Sequence, residues 1–164
     1  MPPITCHILD STIGKPASNV LCCLYKVDII EPNETNGNLQ EGELLFKDNA
    51  RLIAMARTNN DGRVQNWNFN PKDNQEWLNE NVGEIVFDKS SGIKWNSVKD
   101  GNYKIRFFVK EYFNRQKPGN SGDVSEINGF YSFVDINFMI KDPSQHYHIP
   151  LLLTNFGYTT YRGS

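Results

Sequence analysis

Short strand-like segments separated by strong turn signals run through most of this 164-residue chain. In residues 130–140, the apolar side chains Val134, Ile136 and Phe138 recur at every second position, with polar side chains between them. This period of two is typical of a strand with one buried and one exposed face. About eight such segments with little helix between them predict an all-β protein, namely an antiparallel β-sandwich.

The remaining predicted elements follow from the same signals. Further strands are predicted at residues 4–9, 20–27, 51–58, 103–109, 146–154 and 158–161. The strongest turn signal is residues 59–62 (Asn-Asn-Asp-Gly), because these residue types tolerate positive φ. A short helix is predicted at residues 73–82 and one helical turn at 110–115. The polar residues 31–43 and 118–123 are predicted to be surface loops.

The length of 164 residues fits a single domain, residues 1–164. Within it, residues 31–43 and 66–101 are predicted to be extended loops or insertions, because neither has a clear strand pattern. The formal net charge of −2 gives no reason to expect a nucleic-acid partner. No apolar run approaches the ~20 residues of a membrane helix, so no membrane partner is expected.

The odd number of cysteines, Cys6, Cys22 and Cys23, predicts reduced thiols, as in the cytosol. The N-terminal residues lack the pattern of a secretory signal. The final Arg-Gly-Ser differs from the Ser-Lys-Leu type of peroxisomal address. The cytosol is therefore the expected compartment, and the peroxisome is the alternative.

The cysteines and the three histidines do not have the spacing of a metal site. The chain contains no Cys-x-x-Cys pair and no helical His-x-x-x-His pair. We therefore expect no metal and no other cofactor.

Two of the three histidines, His146 and His148, lie two residues apart in a predicted strand. Side chains at positions i and i+2 project from the same face, so the two imidazoles should lie side by side. Imidazole is a general base near neutral pH, and the guanidinium of Arg63, directly after the predicted turn, supplies fixed charge and hydrogen-bond donors. Such a site suits an anionic heterocycle. The alternative is that these residues are solvated on the wet face of a sheet.

Several motifs carry a family resemblance. Residues 6–10 (Cys-His-Ile-Leu-Asp), followed by Gly-Lys-Pro-Ala at 14–17, resemble the opening of the transthyretin-like family. Residues 58–63 resemble its Thr-x-x-Asp-Gly-Arg turn. The most specific match is His-Tyr-His-Ile-Pro-Leu-Leu-Leu at 146–153 with the ending Tyr-Arg-Gly-Ser at 161–164. This ending is similar to that of the 5-hydroxyisourate hydrolases, which share the fold with a hormone carrier.

The resemblance implies a site and an assembly. His7, Arg63 and His148 match the catalytic residues of the family. The positions that match its substrate-binding residues are His146, Tyr161, Arg162, Gly163 and Ser164. The family fold is a sandwich of two four-stranded sheets with one short helix. It forms a homotetramer with active sites at subunit interfaces.

The implied activity is hydrolysis of 5-hydroxyisourate, a step in urate breakdown. Either His148 or His7 would take the proton from water, and Arg63 would orient the substrate and stabilise the developing oxyanion. Two alternatives are a non-catalytic small-molecule carrier of the transthyretin type and an interaction module that works through its loops. We expect ligand binding without turnover from the first, and partner capture that depends on residues 31–43 and 66–101 from the second.

Overall fold

The computed structural model describes residues 1–28, 49–70, 72–116 and 129–164, and the predicted loops at 31–43 and 118–123 lie outside these ranges. Two larger sheets and a two-stranded sheet make up the fold. The strands are β1 (Ile4–Asp10), β2 (Lys15–Pro16), β3 (Leu21–Asp28), β4 (Asn49–Arg57), β5 (Arg63–Val64), β6 (Asn68–Phe69), β7 (Ile85–Asp88), β8 (Gly92–Trp95), β9 (Gly101–Phe107), β10 (Val134–Ile140), β11 (Tyr147–Leu153) and β12 (Tyr158–Thr160). The helices are α1 (Gln75–Asn81) and α2 (Val109–Arg115).

The first sheet has the order β12-β11-β1-β2, and β5 also pairs with β1. Its central pairing joins β1 to β11 in parallel, with Thr5 opposite His148 and His7 opposite Pro150. The second sheet has the order β10-β9-β3-β4-β6, and its pairings are antiparallel. The first sheet therefore brings an early strand and a late strand of the chain side by side.

The core lies between the facing sides of the two sheets. From β1, alternate residues Ile4, Cys6 and Ile8 are fully buried, as are Leu24 of β3 and Ile105 of β9. The indole of Trp67 also enters the core, where its Nε1 donates to the carbonyl oxygen of Ile4 at 2.9 Å. Burial of each isoleucine or leucine side chain contributes about 1.5–3 kcal/mol to the free energy of folding. One face of β1 is thus fixed inward, which turns its other face outward.

The segment 66–101 is more ordered than the sequence predicts. Helix α1 confirms the expected short helix at 73–82, and the side chain of Asn74 caps it by accepting from the backbone N–H of Trp77. Arg51 stacks over the Trp77 ring at 3.5 Å, which fastens the helix to β4. Strands β7 and β8 then form a hairpin that the sequence analysis missed.

The all-β sandwich is confirmed, but the strand and helix counts differ from the prediction. Each large sheet has five strands rather than the four that the resemblance implies. The described residues contain two helices rather than the one that it implies, and α2 confirms the helical turn predicted at 110–115. The additional strands include two-residue elements such as β2, β5 and β6, which are too short to produce a periodic pattern. The strand predicted at residues 130–140 begins at Val134, and Phe130 is 70% exposed. Among the described residues, no helix is long and apolar enough to cross a bilayer.

Candidate active site

The outer face of the first sheet carries the candidate site. Because Ile4, Cys6 and Ile8 point into the core, the alternate residues Thr5 and His7 lie on the opposite face of β1. On β11, the same alternation buries Tyr147 and leaves His148 half-buried on the outer face. The parallel register places Thr5 beside His148. The sequence prediction that His146 and His148 lie on one face is confirmed by their shared contact with Thr5.

Thr5 lies between two imidazoles. Its Oγ1 is 2.8 Å from Nδ1 of His148 and 2.9 Å from Nε2 of His146. The rings of His7 and His148 are nearly parallel, with centroids 6.5 Å apart and an interplanar angle of 24°. All three histidines therefore meet on this face, around the hydroxyl of Thr5, a residue that is 8% exposed.

The turn before β5 positions Arg63 beside the histidine cluster. The Oδ1 atom of Asn59 accepts from the backbone N–H groups of Asp61 and Arg63, at 3.0 and 2.9 Å. Gly62 has a φ of +71°, and a Cβ there would lie 2.4 Å from the carbonyl oxygen of Ile8. This position requires glycine. The resulting register pairs Arg63 with His7, so the predicted arginine and histidine are brought together.

An open cavity of about 370 Å³ adjoins the cluster. Its lining includes Arg63, His148 and Thr5. Gln65 and Asn66, which follow β5, add amide groups that the sequence analysis did not single out. A cavity of this size with a few convergent polar groups is typical of a small-molecule site.

Burial and nearby positive charge favour the neutral forms of His7 and His148. Burial lowers the pKa of His148, and the positive charges of Arg63, His7 and His146 lower it further. Burial and the charge of Arg63 also lower the pKa of His7, against a smaller opposing effect from Asp61. A neutral imidazole has a free lone pair, so both rings are able to accept a proton at neutral pH.

The C-terminal residues predicted to bind substrate fall in different places. Gly163 pairs with His148 through its backbone, donating its N–H to the His148 carbonyl oxygen at 2.9 Å. Tyr161 and Arg162 line a neighbouring cavity of about 240 Å³ that also touches His148. Arg162 stacks over the Tyr147 ring at 4.8 Å, and Ser164 is exposed. Within one chain, therefore, Gly163 contacts the histidine cluster, whereas Tyr161, Arg162 and Ser164 lie outside the cavity that contains Arg63.

Replacing Gly163 by alanine is expected to lower the kcat of a reaction that uses His148 about 10- to 100-fold, with little change in thermal stability. A Cβ at this position would lie 2.5 Å from Cδ2 of His148, so the ring must shift, and small misplacements in a site are costly. The matched control is Gly157→Ala, whose Cβ would meet only the Thr154 hydroxyl at an ordinary 3.5 Å. Steady-state kinetics and thermal denaturation of both variants test this. Equal activity of the two would contradict it.

The described residues contain no group of three or more His, Cys, Asp or Glu side chains arranged to hold a metal ion. Cys6, Cys22 and Cys23 are buried free thiols. Burial raises the pKa of the Cys22 thiol, which disfavours the nucleophilic thiolate. The polar side chains that the structure brings together at this site are imidazole, guanidinium and hydroxyl groups.

The sandwich, with imidazoles and a guanidinium on the outer face of one sheet, has the architecture of transthyretin-like proteins with a polar site on that face. The model of the HIUase/Transthyretin family matches residues 4–163, and the chain belongs to this family.

Relatives and solved structures agree with this family. A probable 5-hydroxyisourate hydrolase of Schizosaccharomyces pombe is 32% identical over 99% of this chain and 92% of its own length. A 5-hydroxyisourate hydrolase of Halalkalibacterium halodurans is 32% identical over 98% of this chain and 97% of its own length. The structure of a Klebsiella pneumoniae 5-hydroxyisourate hydrolase superposes with a TM-score of 0.54 at 22% identity, and each chain is 98% covered. This last similarity is one of fold.

Proposed function

We propose that this chain hydrolyses 5-hydroxyisourate to 2-oxo-4-hydroxy-4-carboxy-5-ureidoimidazoline, a step in urate degradation. The observation that carries the proposal is that Arg63 and His148 share one cavity in which Thr5 already holds Nδ1 of His148. Relatives that are 32% identical over nearly the whole chain are named for this activity. Family membership and the local chemistry thus point to the same reaction.

The reaction needs a base and a positive group. Opening a cyclic amide with water requires removal of a proton from the water and stabilisation of negative charge on the carbonyl oxygen. His148 is the base in this proposal, because its Nδ1 is bound to Thr5 and its Nε2 remains for the reacting water. The lowered pKa of His148 keeps it in the neutral form that accepts a proton.

Arg63 and His7 complete the mechanism. The Arg63 side chain is exposed to the cavity, where its planar guanidinium suits the carbonyls and anionic form of an oxidised purine. The ring of His7 stacks on that of His148 with centroids 6.5 Å apart, so His7 orients the imidazole of the base. His146 contacts the Thr5 hydroxyl through Nε2, on the other side of that hydroxyl from His148.

The remaining substrate-binding residues belong to an assembled site. The cavity beside His148 is open in a single chain, and Tyr161, Arg162 and Ser164 are exposed. A homotetramer in which another copy covers the outer face of the first sheet would enclose the cavity, with the terminal residues contacting the substrate. Sedimentation equilibrium tests the assembly, since a monomer at assay concentration would contradict it.

An absorbance time course tests the activity. 5-Hydroxyisourate is generated in situ from urate with urate oxidase, and its decay is followed with and without this protein. Faster decay in proportion to protein concentration supports the hydrolase. Decay at the spontaneous rate, from a folded protein that binds the compound, would instead support the small-molecule carrier.

Activity is expected to survive dialysis against a strong chelator, because the proposed chemistry uses only imidazole and guanidinium groups. The measurement compares kcat before and after treatment, with zinc added back to a second aliquot. A loss that zinc restores would show that the histidines bind a metal and would overturn the metal-free mechanism.

The compartment stays a prediction. The buried free thiols Cys6, Cys22 and Cys23 are compatible with a reducing compartment such as the cytosol. Cell fractionation distinguishes the cytosol from the peroxisome.

A further inference from the structure

The bridging hydroxyl of Thr5 has one proton to share between two partners. A hydroxyl donates one hydrogen bond and accepts others. Nδ1 of His148 lies 2.8 Å from Oγ1, and Nε2 of His146 lies 2.9 Å from it. If the hydroxyl donates to one ring nitrogen, the other nitrogen must be protonated to donate back. The two facing nitrogens therefore cannot both be unprotonated while both hydrogen bonds are made, and they are in opposite protonation states whenever the hydroxyl donates to one of them.

We propose that Thr5 is a positioning residue that couples the protonation of His146 and His148, so that His148 alternates between base and acid. The proposal deepens the function proposed above and rests on it for its kinetic consequences. The coupling itself depends only on the geometry of the three side chains.

In the first state, His148 is ready to act as a base. Its Nδ1–H donates to Thr5, the Thr5 hydroxyl donates to Nε2 of His146, and Nε2 of His148 has a lone pair. In the second state, Nε2–H of His146 donates to Thr5, which donates to Nδ1 of His148. Nε2 of His148 then carries the proton and is ready to act as an acid.

Water attack converts the first state into the second. The water oxygen forms a bond to the carbonyl carbon, and the π electron pair of the carbonyl moves to its oxygen. At the same time the O–H bond of water breaks, and its proton forms an N–H bond at Nε2 of His148. The Nδ1 proton of His148 passes to Thr5 Oγ1 as the Thr5 proton passes to Nε2 of His146. When the ring C–N bond breaks, the leaving nitrogen takes the proton from Nε2 of His148, and the relay runs backwards. Over the cycle, no proton is gained or lost by the protein.

The surrounding charges favour this transfer. Arg63 from β5 and His7 from β1 both face His148 and disfavour its imidazolium form, and His146 does so from its own segment. Asp61 is the acidic residue of this group, and it acts on His7. Moving the positive charge from His148 to His146 through Thr5 takes it off the ring whose imidazolium form is disfavoured by the charge of Arg63. Because Thr5 is 8% exposed, bulk water does not compete well for the bridging hydroxyl.

Nitrogen NMR of the protein without substrate tests the coupling directly. The imidazole nitrogens are assigned with the single-histidine variants, in wild type, Thr5→Val and Thr5→Ser. We expect Nδ1 of His148 and Nε2 of His146 to have opposite protonation in wild type and in Thr5→Ser. In Thr5→Val, which keeps the β-branched shape and loses the hydroxyl, we expect this complementarity to disappear. Complementarity that persists in Thr5→Val would overturn the proposal.

Kinetics on 5-hydroxyisourate test the consequence. We expect Thr5→Val to lower kcat on the order of 10²-fold with little change in KM, and Thr5→Ser to stay within a few-fold of wild type. The acid limb of kcat/KM should move to lower pH, because the imidazolium of His148 loses a hydrogen-bond acceptor. A merely loosened site would admit water and move that limb the other way, toward the ordinary histidine pKa of about 6.5.

The NMR and kinetic experiments together distinguish failure of the hydrolase proposal from failure of the Thr5 coupling. Wild-type protein that does not accelerate decay removes the proposed function, and the NMR comparison alone then decides the coupling. Active wild type with an equally active Thr5→Val overturns the relay while leaving the hydrolase in place. Thermal denaturation of both Thr5 variants accompanies the kinetics, and a Thr5→Val protein that fails to fold leaves wild type and Thr5→Ser to decide. The same protonation state at both facing nitrogens in those two proteins would also overturn the coupling.

Discussion

Replacing His148 by alanine is expected to lower kcat by about 10²- to 10⁴-fold, the contribution of a well-placed general base. The ring is half-buried on β11, its Nδ1 is bound to Thr5, and it lines the cavity that contains Arg63. No other histidine occupies this position, because the described lining of the cavity includes His148 and neither of the other two. The initial rate of 5-hydroxyisourate decay measures the effect.

A variant on the same strand separates chemistry from packing. Leu152→Ala shortens another half-buried side chain of β11, four residues further along. We expect it to lose some thermal stability and to keep kcat. If His148→Ala retains wild-type kcat, the base lies elsewhere, and His7→Ala is the variant to measure next.

Replacing Arg63 by glutamate is expected to reduce turnover by about 10³-fold or more while the fold is kept. Loss of a charge that stabilises an oxyanion costs about 10²- to 10³-fold on its own. The substitution also acts on the bases, since the positive charge of Arg63 lowers the pKa of both His7 and His148. A carboxylate in its place raises both pKa values, so more of each ring is protonated at neutral pH and unable to act as a base.

The rise in the histidine pKa values can be measured separately from the loss of oxyanion stabilisation, because it shifts the pH profile. The acid limb of the kcat/KM profile should move to higher pH in Arg63→Gln, where residual activity is expected to be easier to follow. The fold should survive, because the Arg63 side chain is exposed and its backbone bonds to Asn59 do not need the guanidinium. Lys89→Glu, at the exposed turn between β7 and β8, makes the same change of charge outside the site. Wild-type kcat in Arg63→Glu, or equal losses in both variants, would contradict the role given to Arg63.

Much of the site was predictable because strand alternation is a strict geometric rule. The period of two assigned His7 to the face opposite Ile4 and Ile8, and His146 to the same face as His148, and the structure has both arrangements. The turn at residues 59–62 was equally predictable from its Asn-Asn-Asp-Gly sequence. In the structure, Gly62 has the positive φ that this residue type tolerates. These are local constraints, which a single sequence displays directly.

What depended on long-range pairing was not predictable from the residues alone. Nothing near Thr5 in sequence indicates that it lies within hydrogen-bond distance of residues 141 and 143 positions away. The hairpin of β7 and β8 was missed because each strand has four residues and largely exposed side chains, so no buried face marks it. The signal that could have found it is the turn at residues 89–92, Lys-Ser-Ser-Gly, between Ile-Val-Phe and Ile-Lys-Trp.

The parallel pairing of β1 with β11 has a consequence for how this protein is made. A ribosome releases His7 early, yet His7 does not meet His148 until Tyr147–Leu153 has been synthesised and has paired with β1. Most of the described chain must therefore fold before β11 pairs with β1 and completes the site that contains His148. Contacts of such sequence separation are slow to form. The exposed edge of β1 during that interval is where a chaperone, or an aggregating second chain, is expected to bind first.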